Sequence, residues 1–334
     1  MTAVGLALPQ LGPHVSPDVV QAFASRAEQL GFASLWVQDH FAYPLEPEGG
    51  YVGIEGEPIP AAYRQILSPL ELLSVVAGWT STVRLGTSVL VAGHHRPAPL
   101  AKQLATLDVL SKGRLSVGLG IGWCREEHRM CDVDPATRGA RMDDFVPALL
   151  RCWEPGPVSY EGAYFQIPPS ELLPRPVQRP RPPLLAGMWS RAGRRRTATW
   201  FDGWNPAGLP VARVLEMAAR LAELRDPGLP PLSIHARVFV AHPRSSSGAA
   251  SLGIDGVTRE VVQASAGGID EVIIDASFWA EVARPEDWVA LPERLAPCLE
   301  AAASAAVGPG RAQPGPVHPQ QPRPGATGAG GPAA

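Results

Sequence analysis

The sequence predicts an α/β fold, a (β/α)8 or TIM barrel, from three observations. The chain has 334 residues, 45% of them hydrophobic and 18% charged, which suits a globular protein with one large core. Short apolar or β-branched runs alternate with longer segments of helical periodicity, as they do in parallel βαβ units. Because about 300 residues hold eight such pairs of strand and helix, a closed barrel is favoured over an open sheet.

The first pair shows how each element is assigned. Residues 4–8 are an apolar run and predict a strand. Ser16 followed by Pro17 is typical of a helix N-terminus, where a hydroxyl caps the free amides and proline takes the first helical position. The helix predicted over residues 17–30 has its apolar residues on one face and ends at Gly31.

The other seven pairs are assigned in the same way along the chain. Their strands are predicted at residues 34–37, 84–91, 115–119, 183–186, 202–204, 233–240 and 271–274. Their helices are predicted at residues 69–79, 100–110, 141–153, 191–200, 211–224, 257–266 and 286–298.

Two irregular stretches are too long for ordinary connections, and we interpret them as loop insertions at the C-terminal face of the barrel. Residues 42–67, rich in Gly, Pro and Tyr, are a candidate substrate lid, with a disordered insertion as the alternative. Residues 154–181 contain a stiff proline-rich run and are assigned a structural role. The barrel domain is assigned to residues 1–303, and residues 304–334 are expected to be a disordered tail rich in Pro and Gly.

Composition excludes several classes of protein. A formal charge of −3 gives no basic surface for nucleic acid or an anionic membrane, and no stretch reaches the roughly 20 apolar residues of a membrane helix. Four scattered cysteines do not make a disulfide framework in a chain of this length. We therefore expect a cytoplasmic protein that binds neither nucleic acid nor membrane.

Candidate catalytic residues follow the second and third predicted strands, where a barrel places its chemistry. Asp39 and His40 come after the second strand, and His40 can accept or donate a proton near neutral pH. A structural pair bonded to a neighbouring loop is the alternative. His94 and His95 come after the third strand but have no acidic partner nearby in sequence, so no metal is predicted there.

Two further strand ends are suited to a ligand. Alternating glycines at positions 118, 120 and 122 let a flat ligand or a phosphate approach the backbone, although alternating glycines also relieve crowding inside barrels. After the fifth strand, Gly187 to Ser190 leads into a helix with Arg191, Arg194 and Arg195 on one face, which suits an anion or a solvated basic surface.

These segments together resemble a known family. The resemblance rests on AKQLATLDVLSKGRLSVGLGIGW at residues 101–123, ASLWVQDH at 33–40, LGTSVL at 85–90, RGARMD at 138–143, YEGAYF at 160–165 and PRPVQ at 174–178. It covers about residues 4 to 300, and it identifies the chain as similar to the bacterial luciferase-like oxidoreductases, within them to the branch that uses the deazaflavin coenzyme F420.

The resemblance implies a cofactor site at the strand ends. A flavin-like ring would lie across them, against a non-prolyl cis peptide at Ser88–Val89, with Asp39 at the polar edge of the ring and Gly120 and Gly122 lining it. By the same resemblance, a phosphate-binding turn and an adjacent basic residue for the anionic tail of F420 are expected at Gly187, Met188, Trp189, Ser190 and Arg191.

The resemblance also implies an activity, the transfer of a hydride between the deazaflavin C5 and a small organic substrate. His40 is the leading candidate for the proton carrier and His95 the second. Reduction of a C=C or C=N bond, or oxidation of an alcohol, is expected, in specialised metabolism. A sugar phosphate is disfavoured because the fourth strand carries no carboxylate.

Two alternatives stay open. One is an FMN-dependent monooxygenase of the same fold, in which reduced flavin reacts with oxygen. The other is a barrel without catalysis that serves as a partner subunit. Proteins of this family usually pair, so a homodimer is expected.

Overall fold

The computed structural model describes residues 1–241 and 252–306. The predicted tail at residues 304–334 lies outside the described residues from position 307 onward, and its first three residues belong to the last helix, which ends at Ala306.

The fold is a closed barrel of eight parallel strands surrounded by helices, which confirms the predicted fold class. The strands are Ala3–Ala7 (β1), Ser34–Val37 (β2), Arg84–Thr87 (β3), Leu90–Val91 (β4), Leu115–Gly120 (β5), Val158–Glu161 (β6), Gln166–Ser170 (β7), Leu184–Ala186 (β8), Gly203–Trp204 (β9), Ser233–Phe239 (β10) and Glu271–Asp275 (β11).

The order of the strands follows the chain around the barrel. Parallel pairing runs from β3 through β2, β1, β11, β10, β9 and β8 to β5, and β3 also pairs with β5, which closes the ring. Strands β3 and β4 are two parts of one barrel strand, since both pair with β5. Strands β6 and β7 form an antiparallel hairpin in the second insertion.

Helices surround this ring, and the last packs against the first. They are Pro17–Leu30 (α1), Pro69–Trp79 (α2), Pro97–Leu110 (α3), Arg125–Met130 (α4), Arg138–Arg151 (α5), Arg191–Trp200 (α6), Val211–Ala222 (α7), Gly253–Gly267 (α8) and Pro285–Ala306 (α9). In the described part of the chain, no helix combines the length and the apolar character needed to cross a bilayer.

The local signals in the sequence account for most element ends. Ser16 caps α1 by accepting a hydrogen bond from the Val19 amide at 3.3 Å, and Gly31 ends the helix with φ of 89°. Helix α9 extends beyond the predicted residue 298 to Ala306, because the alanine-rich segment that follows favours helix. The predicted strand 84–91 is interrupted between β3 and β4, where the Ser88–Val89 peptide is cis as expected.

A buried carboxylate, Asp108 of α3, holds the C-terminal part of the second insertion against the barrel. Its Oδ2 accepts hydrogen bonds from the amides of Val177 (2.7 Å) and Gln178 (3.0 Å), and its Oδ1 accepts one from Gln178 Nε2 (2.7 Å). The Gln178 amide also donates to the Leu115 carbonyl of β5 at 2.7 Å. These bonds give the insertion a structural role and fix the chain just before β8.

We expect Asp108→Ala to lower the free energy of unfolding by about 3 kcal/mol, because it removes a buried carboxylate that accepts three hydrogen bonds from the insertion. Denaturant unfolding measures the change. Gln103→Ala on the exposed face of the same helix is the control and should change stability by less than about 0.5 kcal/mol. Equal effects of the two substitutions would contradict the anchoring role of Asp108.

Candidate functional site

A cavity of about 490 Å³ opens at the C-terminal ends of the barrel strands. Ten of the twelve predicted site residues line it, namely Asp39, His40, Ser88, Val89, Gly120, Gly122, Gly187, Met188, Trp189 and Ser190. The other two lie outside its wall. His95 lines a second cavity of about 260 Å³, and Arg191 is exposed on α6.

The glycines at the cavity accommodate Val89. A Cβ atom at Gly120 would lie 2.7 Å from Val89 Cγ2, and one at Gly187 would lie 2.7 Å from Val89 Cγ1. Gly118 is closer still, since a Cβ there would lie 2.1 Å from the Thr87 carbonyl oxygen. Because these glycines have no side chains, there is room for the chain segment at the Ser88–Val89 cis peptide. This segment forms part of the cavity wall.

Arg237, which the sequence analysis did not identify, holds this turn in place. It lies on β10, and its Nη1 donates a hydrogen bond to the carbonyl oxygen of Ser88. Its Nε donates to Oδ2 of Asp275 at 2.9 Å, so the buried guanidinium is paired with a buried carboxylate. A charged residue inside a predicted barrel strand was the available signal.

His40 forms a pair with Glu127, the second residue that the sequence analysis missed. Glu127 Oε2 accepts a hydrogen bond from His40 Nδ1 at 2.8 Å, while its Oε1 accepts from the amides of Phe41 (2.7 Å) and Ala42 (3.0 Å). Burial by itself raises the pKa of Glu127, but these hydrogen bonds, that of His40 first, outweigh burial and lower it.

The pair leaves one nitrogen of His40 for chemistry. Among the described residues, Nε2 of His40 has no hydrogen-bond partner, and the ring lines the cavity. A carboxylate that fixes Nδ1 sets the tautomer and orientation of an imidazole, as in catalytic triads. The arrangement can therefore move a proton at Nε2.

Asp39 is held by residues that follow it in the barrel. Its Oδ2 accepts hydrogen bonds from the Val91 amide (2.9 Å) and from His95 Nε2 (3.0 Å), while His94 Nδ1 lies 3.3 Å away without hydrogen-bond geometry. Burial raises the pKa of Asp39, but the two histidines more than offset this and hold the pKa far below the usual range. Asp39 is thus a carboxylate, and Oδ1 has no partner among the described residues.

The predicted lid segment packs over the cavity. It contains short 3-10 helices at Tyr51–Gly53 and Ala61–Arg64, and both tyrosine rings are buried against Trp123. Tyr63 donates a hydrogen bond to Gln38 Oε1 at 2.9 Å, and burial, with the neighbouring Tyr51, raises its pKa well above the usual value. The segment is folded here, and its movement as a lid stays a prediction.

Two buried polar atoms in the cavity wall have no hydrogen-bond partner within residues 1–241 and 252–306, namely Ser88 Oγ and Asn205 Oδ1. The other polar atom of the Asn205 side chain, Nδ2, donates to the His235 carbonyl at 2.6 Å. Asn205 directly follows β9, so inspecting the residues after each predicted strand could have identified it. Within the described residues, no group of three or more His, Cys, Asp or Glu side chains could hold a metal ion.

The helix α6 brings positive charge to the rim of the cavity. Ser190 caps the helix by accepting a hydrogen bond from the Gly193 amide at 3.0 Å. Arg191, Arg194 and Arg195 have no ion-pair partner among the described residues, whereas Arg196 is paired with Asp143. An anionic group at this rim would find unpaired guanidinium groups beside a helix N-terminus.

Comparison with known proteins gives matches over most of the barrel. A sequence model of the luciferase-like monooxygenase family matches residues 3–291. An uncharacterised protein of Mycobacterium tuberculosis is 34% identical over 188 residues, 55% of this chain and 65% of that protein. An F420-dependent glucose-6-phosphate dehydrogenase of Amycolatopsis mediterranei is 32% identical over 195 residues, 55% of this chain and 53% of the enzyme. The chain thus aligns with less than two thirds of either relative.

Solved structures share the fold at low identity. An F420-dependent secondary alcohol dehydrogenase, in complex with an F420-acetone adduct, has a TM-score of 0.70 and 16% identity, covering 90% of this chain and 99% of that one. An FMN complex of a type II Baeyer-Villiger monooxygenase from Pseudomonas putida has a TM-score of 0.66 and 15% identity, covering 89% of this chain and 98% of that one. Similarity at this level concerns the fold alone and is shared by proteins of both cofactor types.

We expect Glu127→Gln to lower the free energy of unfolding by about 2 kcal/mol at neutral pH, since a neutral amide replaces a buried carboxylate that accepts three hydrogen bonds. The folded pKa of Glu127 is lowered, so its contribution to stability is fully present above the ordinary carboxyl pKa of 4.5 and is lost as the pH falls through the lower pKa of the folded state. Unfolding measured from pH 7 down to pH 3 should show the two proteins converge.

The exposed Glu223 at the end of α7 provides the matched control for this experiment. Glu223→Gln should follow wild type within about 0.5 kcal/mol at every pH. A Glu127→Gln curve parallel to wild type down to low pH would show that the ionisation of Glu127 does not stabilise the fold.

Proposed function

The chain belongs to the luciferase-like monooxygenase family, and from this premise we propose that it is an F420-dependent oxidoreductase. In this proposal it moves a hydride between the deazaflavin C5 and a small organic molecule. The observation that carries the proposal is His40, whose Nδ1 is fixed by Glu127 and whose ring lines the cavity at the strand ends.

The cavity fits a flat, polar-edged cofactor. Its volume of about 490 Å³ is within the range of pockets for small-molecule ligands. The buried Ser88 Oγ and Asn205 Oδ1 lack hydrogen-bond partners in the described part of the chain, and a ring with polar edges would supply them. Val89 and Gly120 would face the ring, and the turn at Ser190 would hold the phosphate.

When bound, F420 would supply a carbon centre that accepts or donates a hydride, while the protein supplies the accompanying proton transfer. His40 would take a proton from an alcohol at Nε2, or give one to a reduced carbon or nitrogen, while Glu127 stabilises the imidazolium. Tyr51, Tyr63 and Trp123 would exclude water from the reacting atoms.

Charge at the rim supports F420 over FMN as the cofactor. The tail of F420 carries more negative charge than the single phosphate of FMN. Three arginines that follow Ser190 on α6 have no ion pair with any residue that the structure describes. The relative from Amycolatopsis mediterranei, 32% identical, is itself named as F420-dependent. An FMN-dependent monooxygenase of the same fold is the outcome that the binding experiment below would reveal instead.

The wall composition supports a small, mostly apolar substrate. The aromatic rings of Tyr51, Tyr63 and Trp123 line the cavity. His95, the second candidate proton carrier, lines the other cavity. Of the two candidate proton carriers, His40 lines the cavity proposed for the substrate and His95 does not. We propose an alkene, an imine or a secondary alcohol as the reacting group.

We also propose that the protein works as a homodimer.

Titration of the purified protein should show a Kd for F420 at least about tenfold below that for FMN, a difference of about 1.4 kcal/mol. Quenching of tryptophan fluorescence is the measurement, because Trp123 and Trp189 line the cavity. Replacing Arg191 and Arg194 together by alanine should reduce this preference by about fivefold at low salt and by less at high salt.

Arg259→Ala is the matched control, since Arg259 is exposed on α8 and has no ion pair among the described residues. It should leave both affinities unchanged. Tighter binding of FMN would support the monooxygenase and make oxygen consumption the next assay. Failure of both cofactors to bind would support a partner subunit without catalysis.

His40→Ala should lower turnover by about 10² while changing the Kd for F420 by less than about twofold, because it removes the proton carrier and not a cofactor contact. Turnover is followed by F420 absorbance with the best substrate from a screen of alkenes, imines and alcohols. His14→Ala, outside the cavity wall, is the control. Unchanged turnover of His40→Ala at saturating substrate would remove His40 from the mechanism.

A further inference from the structure

The second cavity, of about 260 Å³, lies beside the first turns of α5 and is lined by both apolar and cationic side chains. The apolar part of its wall includes three buried residues, Met142, Phe145 and Phe165. The charged part consists of Arg96, Arg138, Arg141 and Asp132. Among the described residues of this wall, three guanidinium groups therefore accompany one carboxylate, and this balance favours an anionic ligand.

These arginines are not neutralised by any residue that the structure describes. Arg96, Arg138 and Arg141 form no ion pair there, and Arg96 is exposed. Arg138 donates from Nη1 to the Pro135 carbonyl at 2.7 Å, but its Nε is buried and has no hydrogen-bond partner in the described chain. A guanidinium with a buried, unsatisfied nitrogen is unfavourable, and an anion beside Arg138 would lower that cost.

Arg141 is held in a fixed orientation at the cavity. Its Cζ lies 4.8 Å from the centre of the Tyr164 ring and 6.0 Å from that of Phe165, and its Nε donates to Thr137 Oγ1 at 3.3 Å. Its two terminal nitrogens have no hydrogen-bond partner among the described residues. Because the side chain is already ordered, binding an anion through these nitrogens costs less conformational entropy.

The position of two of the arginines on their helix is unfavourable without a ligand. Arg138 and Arg141 lie three residues apart in the first turn of α5, and this turn contains no acidic residue. The N-terminus of a helix carries partial positive charge, which repels cations. A bound anion would offset this repulsion, so the placement points to a ligand.

The other ionisable groups of the wall leave the positive charge in place. Burial raises the pKa of the Cys131 thiol, which therefore stays protonated at neutral pH. His95 Nε2 is hydrogen-bonded to Asp39 Oδ2 at 3.0 Å, and His94 Nδ1 lies 3.3 Å from the same oxygen. Asp132 is exposed and forms no ion pair with a described residue, so water solvates its charge.

We propose that the second cavity is a binding site for a phosphate group, either free or carried by a small apolar molecule. Arg96, Arg138 and Arg141 would bind its oxygens, and the apolar wall would contact the carbon atoms of the molecule that carries it. A phosphate suits three guanidinium groups better than a carboxylate does, because it offers three acceptor oxygens and a charge of about −2. The cavity volume is just below the range of pockets for drug-sized ligands, so the ligand is small.

This site is separate from the cavity proposed for the cofactor. Arg138 lines both cavities, whereas Arg96 and Arg141 line the second cavity and do not line the larger one. Substitutions of Arg96 and Arg141 therefore test the second cavity alone. The proposal does not depend on which cofactor the larger cavity binds.

The test is calorimetric titration of the cofactor-free full chain with two probes, inorganic phosphate and phenyl phosphate. Arg141→Gln should raise the Kd of both probes about tenfold, and Arg96→Ala should raise it about fivefold, since each removes a charged donor. A lower Kd for phenyl phosphate would assign the site to a phosphate on an apolar molecule. Equal Kd values for the two probes would assign it to free phosphate.

Arg64→Gln is the matched control, because Arg64 also stacks on a tyrosine, with Cζ 4.2 Å from the centre of the Tyr43 ring, and lines neither cavity. It should change both Kd values by less than about twofold. Arg96 is exposed, so Arg96→Ala decides the test if Arg141→Gln does not fold. No binding of either probe to wild type, or equal Kd values in wild type and all variants, would overturn the proposal.

Cys131 reports directly on occupancy of the second cavity. It lines the cavity and is partly exposed, whereas the other three cysteines are buried. Alkylation by iodoacetamide is followed at about pH 9, because the pKa of this thiol is raised. Phenyl phosphate at about ten times its Kd should slow alkylation of wild type about tenfold, since only the unliganded fraction reacts. Unchanged alkylation despite binding in the calorimeter would place the phosphate elsewhere and overturn the proposal.

A final titration of phenyl phosphate in the presence of F420 separates this site from the tail of the proposed cofactor. We expect alkylation of Cys131 to be slowed by phenyl phosphate to the same degree with and without F420. Displacement of phenyl phosphate from the second cavity by F420 would assign the arginines to the cofactor and overturn a separate site. The first two measurements contain no cofactor, so their result stands apart from a failure of F420 to bind.

Discussion

Two carboxylates, Asp39 and Glu127, are buried at the mouth of the barrel. The surrounding structure must supply both of them with hydrogen-bond donors. A buried carboxylate is very costly without hydrogen-bond donors. Asp39 finds them in the Val91 amide and His95, and Glu127 finds them in His40 and the two amides that follow it. These bonds join the end of β2 to β4 and α4, so the pairing of charge also fixes the histidines in position.

The second constraint is the space that the side chain of Val89 needs at the strand ends. The cis peptide interrupts the third barrel strand between β3 and β4, and glycines on β5 and after β8 leave room for the valine side chain. Arg237, paired with Asp275 across β10 and β11, donates to the Ser88 carbonyl. The cavity wall therefore depends on the glycines that leave room for Val89 and on the buried ion pair of Arg237 and Asp275.

Much of the fold and part of the site follow from local sequence. Strand and helix assignments were confirmed because apolar periodicity and caps such as Ser16 are local signals. Inspecting the residues that follow each predicted strand identified Asp39, His40 and the turn before α6. In the structure these residues line one cavity. This inspection did not find Glu127, which lies on the short helix α4. His95, the second candidate proton carrier, follows the 3-10 turn Ala92–His94 and lines the second cavity.

The sequence by itself determined the barrel, its family and the face that carries the cavity, because these depend on periodicity and on segments whose residues are contiguous. Only the tertiary structure decided which groups work together. His40 and Glu127 are 87 residues apart, and Arg237 and Ser88 are 149 residues apart. Such pairs form when packing brings distant elements within hydrogen-bond distance, and no local pattern records which donor will meet which acceptor.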